Sequence, residues 1–255
     1  MKIQYASDLH LEFAENKGYI GHGSIAPVGD VLVLSGDVSY LGDRKMKKLP
    51  FWDWCAEHYL ETFIVPGNHE FYGGYDIVQT MEDFELIVRP NVRYLNNKSF
   101  IFGDVELFFT TLWTRIDQAR LWTVQHGMND YRYGKLNGLR FCANDVDGLH
   151  RQCVGWLSGA LEASKAKHKV VVTHHCPTVR PQFNSYSSGA LNSAFQVDMD
   201  DFIECSDIEY WVYGHTHFAG GSGTKIGNTM MLCNQLGYVF YCEHLGFDGN
   251  AFFEL

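Results

Sequence analysis

The chain of 255 residues is 46% hydrophobic and carries 20 Lys and Arg against 30 Asp and Glu, which gives a formal net charge of −10. This length predicts one domain over residues 1–255 with a core large enough to fold without disulfides, and the acidic balance excludes duplex nucleic acid as an expected partner. Seven cysteines without a Cys-x-x-Cys pair argue against a zinc ribbon, and the lack of a long apolar run argues against a membrane partner, so a cytoplasmic protein is expected.

Short apolar runs rich in Val, Ile, Phe and Tyr predict strands along the chain. They cover residues 3–6, 31–34, 62–65, 105–110, 170–173, 210–213, 229–233 and 238–242. Helical spacing predicts helices over 51–61, 75–88 and 145–167, with Asp145 as a candidate N-cap of the last helix. The alternation of strands and helices favours an α/β domain with a mixed sheet system.

Two long stretches, residues 113–144 and 177–197, fit no helix or strand pattern well. Both are rich in aromatic residues. Because long loops in a compact domain are usually functional or disordered, and these contain many aromatic side chains, we expect ordered lids over a site.

Five of the predicted strands run directly into small groups of polar side chains that can bind metal ions. Since sites in α/β sheets lie beyond the carboxyl ends of the strands, these groups are expected to converge in space although they are far apart in sequence. Glycines at positions 36, 67 and 214 are expected to let the backbone turn sharply before the ligands. The groups are Asp8 and His10; Asp37; Asn68 and His69; His174 and His175; and His215 and His217.

The chemistry of these donors indicates the kind of metal. Carboxylate, amide and imidazole donors without a thiolate suit Mn, Fe, Zn, Co or Ni rather than a structural zinc site. A lone His or Asp at a strand end is more often a cap, but six of the twelve histidines fall in these five groups. The donors are too many for one tetrahedral ion, so the joint pattern favours two transition-metal ions that share a bridging ligand.

The order of these groups resembles that of the calcineurin-like metallophosphoesterase superfamily. The resemblance implies a four-layer α/β/β/α sandwich of two mixed sheets with a dinuclear metal site at their edge. It implies that the first ion is held by Asp8, His10, Asp37 and His217, and the second by Asp37, Asn68, His174 and His215, with Asp37 bridging. The matching segments are Asp8-Leu9-His10, Gly36-Asp37, Gly67-Asn68-His69-Glu70, His174 and Gly214-His215-Thr216-His217.

The function implied by the resemblance is a metal-dependent phosphohydrolase that cleaves a small phosphate ester, either a phosphomonoester or a phosphodiester. Two ions can clamp the attacking and leaving oxygens of an in-line displacement, in which a bridging hydroxide attacks. His69 is expected to face the substrate phosphate rather than a metal ion. It is suited to protonate the leaving alkoxide or to donate a hydrogen bond to a phosphate oxygen.

Two alternatives remain open from the sequence. A nucleotide-specific enzyme, either a cyclic-nucleotide phosphodiesterase or a nucleotide pyrophosphatase, could stack a base on Trp113, Trp122, Tyr131 or Tyr133. A non-catalytic scaffold should lack ligands or His69, and this chain has all of them.

Three residues beside the motifs have ambiguous roles. Adjacent residues on a strand point to opposite faces, so only one of His174 and His175 faces the ions, and His174 is the prediction. Tyr40 matches the iron-binding tyrosine of purple acid phosphatases, but His10 makes such a ligand redundant, and we expect Tyr40 to form part of the site wall. Cys176 lacks a phosphate-cradling loop and is expected to be a passive thiol.

In the two long stretches, the candidate contacts for the phosphate or the leaving group are the segment Asp130-Tyr131-Arg132 and Arg180. Surface salt bridges are an equally good interpretation of these side chains, so they are not assigned to the site.

Overall fold

The computed structural model describes residues 1–183, 189–218 and 220–255. Its helices are α1 (Ala14–Gly21), α2 (Pro50–His58), α3 (Leu121–Gly127), α4 (Asp130–Tyr133), α5 (Val146–Ala163) and α6 (Asp200–Glu204). Within these ranges, no helix combines the length and apolar character needed to cross a bilayer. The strands are β1 (Lys2–Ala6), β2 (Val31–Leu34), β3 (Glu61–Ile64), β4 (Phe84–Arg89), β5 (Val92–Asn96), β6 (Lys98–Phe102), β7 (Val105–Thr110), β8 (Lys135–Leu136), β9 (Leu139–Arg140), β10 (His168–Thr173), β11 (Tyr210–Val212), β12 (Thr224–Ile226), β13 (Thr229–Leu232) and β14 (Phe252–Glu254).

In the described part of the chain, the strands form two six-stranded mixed sheets and a small hairpin of β8 and β9. The first sheet has the order β14-β1-β2-β3-β5-β4, and the second has the order β12-β13-β11-β10-β7-β6. In each sheet the four central strands are parallel and the two edge strands are antiparallel to their neighbours. The carboxyl ends of the central strands therefore lie along one edge of each sheet.

The two sheets pack face to face, and a helix covers the outer face of each. Successive strand residues point to opposite faces, so Val33 of β2 and Val172 of β10 share the core between the sheets. On the outer face of the first sheet, Leu32 packs in one core with Trp52 of α2. On the outer face of the second sheet, Val171 packs in another core with Leu157 of α5. These layers form the predicted four-layer α/β/β/α sandwich.

The fully buried strands are predicted well by the sequence, and the edge of the first sheet is not. The predicted helix over 75–88 is wrong, because that region contains a 3₁₀ turn (Ile77–Thr80) followed by β4. In β4 exposed and buried residues alternate irregularly, and a β-bulge interrupts its pairing with β5. A strand with this mixed exposure has an apolar pattern that is close to helical spacing.

Two further sequence predictions are corrected by the structure. Residues 238–242 form a 3₁₀ turn rather than a strand, and Tyr241 is 69% exposed, so its apolar character does not reflect a place in a sheet. Asp145 occupies the predicted N-cap position of α5, but its carboxylate makes no capping hydrogen bond to that helix and instead accepts one from the Cys142 backbone N–H at 2.9 Å in the preceding turn.

The first predicted lid is largely regular structure. Residues 113–144 contain α3, α4 and the β8–β9 hairpin, and Trp113 and Tyr131 are buried in the core that α5 covers. The second stretch, 177–197, contains 3₁₀ turns at Pro181–Phe183 and Asn192–Ala194, and its residues 184–188 lie outside the described residues.

Candidate metal centre

The five polar groups converge where the parallel strands of the two sheets end. Asp8 and His10 follow β1, Asp37 follows β2, and Asn68 and His69 follow β3 in the first sheet. His174 follows β10, and His215 and His217 follow β11, in the second sheet. Hydrogen bonds join the two sheets here, since the His215 backbone N–H donates to the Asp8 carboxylate at 3.1 Å.

Much of the backbone at this edge is in the left-handed region that residues with a side chain rarely adopt. The φ angles are 55° at Asp8, 46° at His10, 54° at Asp37, 71° at His215 and 46° at His217. Each such residue costs on the order of 1–3 kcal/mol and persists where the surrounding structure enforces it. Strained backbone at five of the seven candidate ligands is typical of a functional site.

The three glycines near the ligands have two different roles. Gly36 has a φ of 86°, which supplies the sharp turn before Asp37, and a Cβ there would come within 2.4 Å of the His174 ring. Gly67 and Gly214 do not have a positive φ. A Cβ on Gly67 would lie 2.2 Å from Asp37 Oδ1, and one on Gly214 would lie 2.8 Å from Asp8 Oδ2. At these two positions glycine is needed for space beside the carboxylates rather than for a left-handed backbone conformation.

Three of the candidate ligands, Asp8, His10 and His217, form what we call the first donor group. The Nε2 atoms of His10 and His217 lie 3.1 Å apart, and His217 Nε2 lies 3.3 Å from Asp8 Oδ1. Behind the rings, His10 Nδ1 contacts Glu12 Oε1 at 3.1 Å and His217 Nδ1 contacts Glu243 Oε2 at 2.6 Å. Both imidazoles of this group are therefore backed by a carboxylate.

The second donor group consists of Asn68, His174 and His215. His174 Nε2 lies 2.9 Å from Asn68 Oδ1 and 3.1 Å from His215 Nδ1. Behind the rings, His174 Nδ1 contacts the Ser35 carbonyl at 2.8 Å and His215 Nε2 contacts the Ala194 carbonyl at 3.3 Å. The imidazoles of this group are therefore backed by main-chain carbonyls.

Asp37 lies between the two groups and points one carboxylate oxygen at each. Its Oδ1 is 3.4 Å from His174 Nε2, and its Oδ2 is 3.9 Å from His10 Nε2. Burial and the neighbouring carboxylates of Glu70 and Asp8 raise the pKa of Asp37 well above its usual range. A nearby cation would stabilise the charged form of the Asp37 carboxylate. Its position between the two groups suits a ligand shared by two ions.

Glu70, which the sequence shows only as the last residue of its motif, holds Asp37 in place. Its carboxylate accepts hydrogen bonds from the backbone N–H groups of Gly67 at 2.7 Å, Asp37 at 3.0 Å and Val38 at 2.8 Å. Burial raises the pKa of Glu70 to about 7, and the hydrogen bonds from Val38 and Gly67 oppose that rise. The contacts fasten the loop after β2 to the loop after β3.

The protonation of the histidines fits metal binding. Burial lowers the pKa of both His10 and His174 to about 4, so their rings are neutral at pH 7, which is the form that binds a metal ion. Burial also opposes the charged form of His217, but hydrogen bonds to Asp8 and Glu243 outweigh it and raise the pKa of His217 to about 9. Metal binding at His217 must therefore displace a proton.

The second donor group presents only electron pairs to its centre. A neutral imidazole has one N–H, and in His174 and His215 a main-chain carbonyl accepts it, so His174 Nε2 and His215 Nδ1 have no hydrogen to share. The amide of Asn68 is oriented by Asp130, whose Oδ1 accepts a hydrogen bond from Asn68 Nδ2 at 2.7 Å, so Asn68 Oδ1 faces the rings. Acceptor atoms about 3 Å apart without a shared hydrogen fit a bound cation.

The predicted catalytic residue, His69, lies at the wall of the site and is oriented by Glu12. His69 Nδ1 contacts Glu12 Oε1 at 2.8 Å, and His69 Nε2 lies 3.2 Å from the Tyr238 hydroxyl. Burial opposes the charge of Glu12, but hydrogen bonds from His10 and His69 lower the pKa of Glu12 to about 2. One carboxylate therefore positions both a candidate ligand and the candidate acid. His69 also lies close enough to His10 and Asp37 to share a metal ion with them.

Among the described residues, neither His175 nor Cys176 belongs to a group of donors close enough to share an ion. The His175 ring centre lies 4.4 Å from that of His215, and its Nδ1 contacts the Thr111 carbonyl at 3.2 Å. The Cys176 thiol contacts the Thr178 carbonyl at 3.4 Å, and burial raises its pKa, which disfavours the reactive thiolate. Tyr40 lies with its ring centre 6.2 Å from the His69 ring, beside the site.

The two arginines considered as phosphate contacts, Arg132 and Arg180, are engaged with other groups of the protein. Arg180 donates to Asp200 at 2.6 Å and to Glu204 at 2.9 Å. Arg132 donates to the His126 carbonyl at 3.3 Å. These contacts match the salt-bridge and surface interpretation rather than a phosphate contact.

A cavity of about 190 Å³ opens over the donors. Asp37, Asn68, His69, His215 and His217 form its floor. Its walls are formed by Tyr72, Gly127, Met128, Asn129, Phe195, Thr216, Tyr238 and Glu243.

Three supporting carboxylates were not identified from the sequence as such. Glu12 follows His10 by two residues, and the alternating pattern Asp8-x-His10-x-Glu12 is a signal that could have found it. Asp130 was singled out only as a candidate phosphate contact, whereas it binds Asn68 and Tyr72. Glu243 lies far from the motifs in sequence, and only the fold brings it to His217.

Comparisons with known proteins identify the family of this chain. The family model of calcineurin-like phosphoesterases matches residues 1–219. Uncharacterized protein L509 of Acanthamoeba polyphaga mimivirus is 26% identical over 279 residues, which span 99% of this chain and 96% of the viral protein.

Two solved structures share the fold at low sequence identity. Phosphopantetheinyl hydrolase from Mycobacterium tuberculosis has a TM-score of 0.68 and 15% identity, over 97% of this chain and 94% of that one. A dimetal phosphatase from Danio rerio has a TM-score of 0.51 and 15% identity, over 92% of this chain and 87% of that one. The family and the His and Asp groups indicate a dinuclear divalent-metal site. Because the family model covers most of the chain, the protein belongs to the calcineurin-like phosphoesterase family and is a metal-dependent phosphoesterase.

Proposed function

We propose that the protein hydrolyses a small phosphate ester by in-line displacement, with one ion in the first donor group, one in the second, and Asp37 as the shared ligand. The observation that carries this proposal is the convergence of acceptor atoms around two centres, with the two oxygens of Asp37 pointing at one centre each. The donor chemistry suits Mn, Fe, Zn, Co or Ni. When bound, two such ions supply Lewis acidity for the phosphoryl oxygens and activate water.

The residues of the chain prepare this chemistry by fixing each donor before substrate arrives. Glu12 and Glu243 orient the imidazoles of the first donor group, and Asp130 orients the amide of Asn68. Glu70 holds the backbone of Asp37. Such preorganisation means that little reorganisation is needed when charge develops in the transition state.

His69 acts on the substrate side of the donors. Its Nδ1 is occupied by Glu12, so its Nε2 is the atom that can reach a substrate over the cavity floor. In the protonated ring, the Nε2–H donates to a phosphoryl oxygen or passes its proton to the leaving alkoxide. Glu12 stabilises that protonated ring, because its carboxylate lies 2.8 Å from Nδ1.

The experiment that tests this proposal is a screen of p-nitrophenyl phosphate and bis(p-nitrophenyl) phosphate with Mn²⁺, Ni²⁺, Zn²⁺ and Mg²⁺. We expect hydrolysis of at least one ester with a transition metal and none after removal of metal with a chelator. Hydrolysis of neither ester under any of these conditions would contradict the proposal.

The nucleotide alternative has less support from the structure. Of the aromatic residues expected to stack a base, Trp113 and Tyr131 are buried in the core. Trp122 is 74% exposed and stacks on His126, and it is not part of the cavity wall. Tyr133 contacts the Tyr72 ring at 5.5 Å and remains the one of the four that adjoins the cavity wall.

A further inference from the structure

The cavity wall has no Lys or Arg among the residues that the structure describes. The residues outside the described ranges, 184–188 and 219, have the sequence Asn-Ser-Tyr-Ser-Ser and Ala, so they include no cation either. Arg132 and Arg180 are engaged with other groups of the protein. The positive charge available to a bound phosphate therefore comes from the metal ions and from His69.

The charge balance of the site favours a substrate with a single negative charge. Two divalent ions would bring four positive charges, and the carboxylates of Asp8 and Asp37 would cancel two of them. Glu243 on the wall would cancel a third, because His217, its hydrogen-bond partner, gives up a proton when it binds a metal ion. The charge of a protonated His69 is balanced by Glu12, whose carboxylate lies 2.8 Å from His69 Nδ1. A phosphodiester carries one negative charge, whereas a phosphomonoester loses its second proton near pH 6 and carries two above that pH. The second charge of a monoester finds no partner on this wall.

The shape and chemistry of the wall also provide a place for a second ester group. Met128, Phe195, Tyr72 and Tyr238 line the cavity. The hydroxyl of Tyr72 is bound to Asp130, so this tyrosine offers mainly ring surface to a ligand. Together with the apolar side chains of Met128 and Phe195, this surface suits an organic substituent rather than a free phosphate oxygen.

We propose that the enzyme prefers phosphodiesters to phosphomonoesters, and that the second ester group of the diester lies against Tyr72, Met128, Phe195 and Tyr238. This inference rests on the proposed metal-dependent hydrolysis and specifies the substrate class of that site.

The first test compares kcat/KM for bis(p-nitrophenyl) phosphate and p-nitrophenyl phosphate at pH 8 with Mn²⁺, because both esters release the same leaving group. We expect the diester to be favoured by roughly ten-fold or more, the effect of one unpaired charge in a partly buried site. An equal or higher kcat/KM for the monoester would overturn the inference while leaving the proposed hydrolysis in place. Hydrolysis of neither ester would contradict the proposed hydrolysis, and the preference with it.

The second test introduces the missing cation. Asn129 lines the cavity, is exposed and has an ordinary helical φ of −69°, so a longer side chain fits there. Asn129→Arg is expected to lower the diester-to-monoester ratio roughly ten-fold and to tighten the binding of inorganic phosphate, measured by calorimetry, by a similar factor. The matched variant Asn129→Gln should change neither quantity. A ratio and a phosphate affinity that are the same in Asn129→Arg and Asn129→Gln would overturn the electrostatic basis of the preference.

Discussion

The two donor groups use similar ligands but support them differently. In the first group, the rings of His10 and His217 are backed by the carboxylates of Glu12 and Glu243. In the second group, the rings of His174 and His215 are backed by neutral carbonyls. A carboxylate behind an imidazole makes the ring a stronger base and a stronger ligand. From this comparison we predict that the first ion will be held more tightly and that the second will exchange more readily.

The largest expected effect comes from the residue that joins the two groups. Asp37→Asn removes the charge that lies between the two centres, so we expect loss of at least one ion and nearly complete loss of turnover. Metal content by mass spectrometry and hydrolysis of p-nitrophenyl esters measure both effects. Asp83→Asn, at a side chain that is 78% exposed and pairs with Lys98, is the matched control and should keep both ions. Two ions in Asp37→Asn would contradict its bridging role.

The next variant removes one candidate ligand from the second donor group alone. His174→Ala is expected to lower metal content to about one ion per chain and nearly abolish turnover, because His174 Nε2 lies at the centre of that group. His175→Ala is the control, since His175 Nδ1 contacts the Thr111 carbonyl, and it should keep both ions and change mainly the rate or substrate preference. If His175→Ala were the variant that loses the ion, the assignment of the second group would be wrong.

A smaller effect is expected at the residue that serves substrate rather than metal. His69→Ala should keep both ions while turnover falls by roughly 10²–10⁴, the usual range for a general acid. His58→Ala, on the exposed end of α2, controls for the loss of a histidine elsewhere. Metal content and kcat are measured on the same preparations. Loss of an ion from His69→Ala would show that His69 is a ligand, as its distance to His10 and Asp37 allows.

The smallest predicted effect distinguishes the metal affinities of the two donor groups. Glu243→Gln keeps the shape of the side chain but removes the charge behind His217, and we expect the affinity of the first ion to fall about 10- to 100-fold. Asp130→Asn, behind Asn68, should weaken the second ion and leave the first unchanged. Titration calorimetry on metal-depleted protein resolves the two affinities. Equal losses of both affinities in both variants would remove the distinction between the groups.

The sequence predicts those elements whose hydrophobic pattern lies within one short stretch of the chain. β2 and β10 are apolar runs buried on both faces, and each is followed by its ligand, so both strand and donor can be predicted without the fold. Edge strands such as β14, which is three residues long, have no such pattern. The turn near Tyr241 shows the opposite error, because its apolar residues predict a strand although Tyr241 is exposed.

The support for the ligands is less predictable than the ligands themselves. Glu243 and Asp130 act through contacts between residues that are 26 and 62 positions apart, and no spacing rule connects them to His217 and Asn68. Gly67 and Gly214 are conspicuous in the sequence, but only the three-dimensional packing shows that they leave space for carboxylates.

Anomalous diffraction from crystals grown with Mn²⁺ tests the two-ion arrangement directly. We expect two peaks roughly 3.5–4 Å apart, one among Asp8, His10 and His217 and one among Asn68, His174 and His215, with Asp37 contacting both. A single peak, or an ion bound by His175 in place of His174, would contradict it.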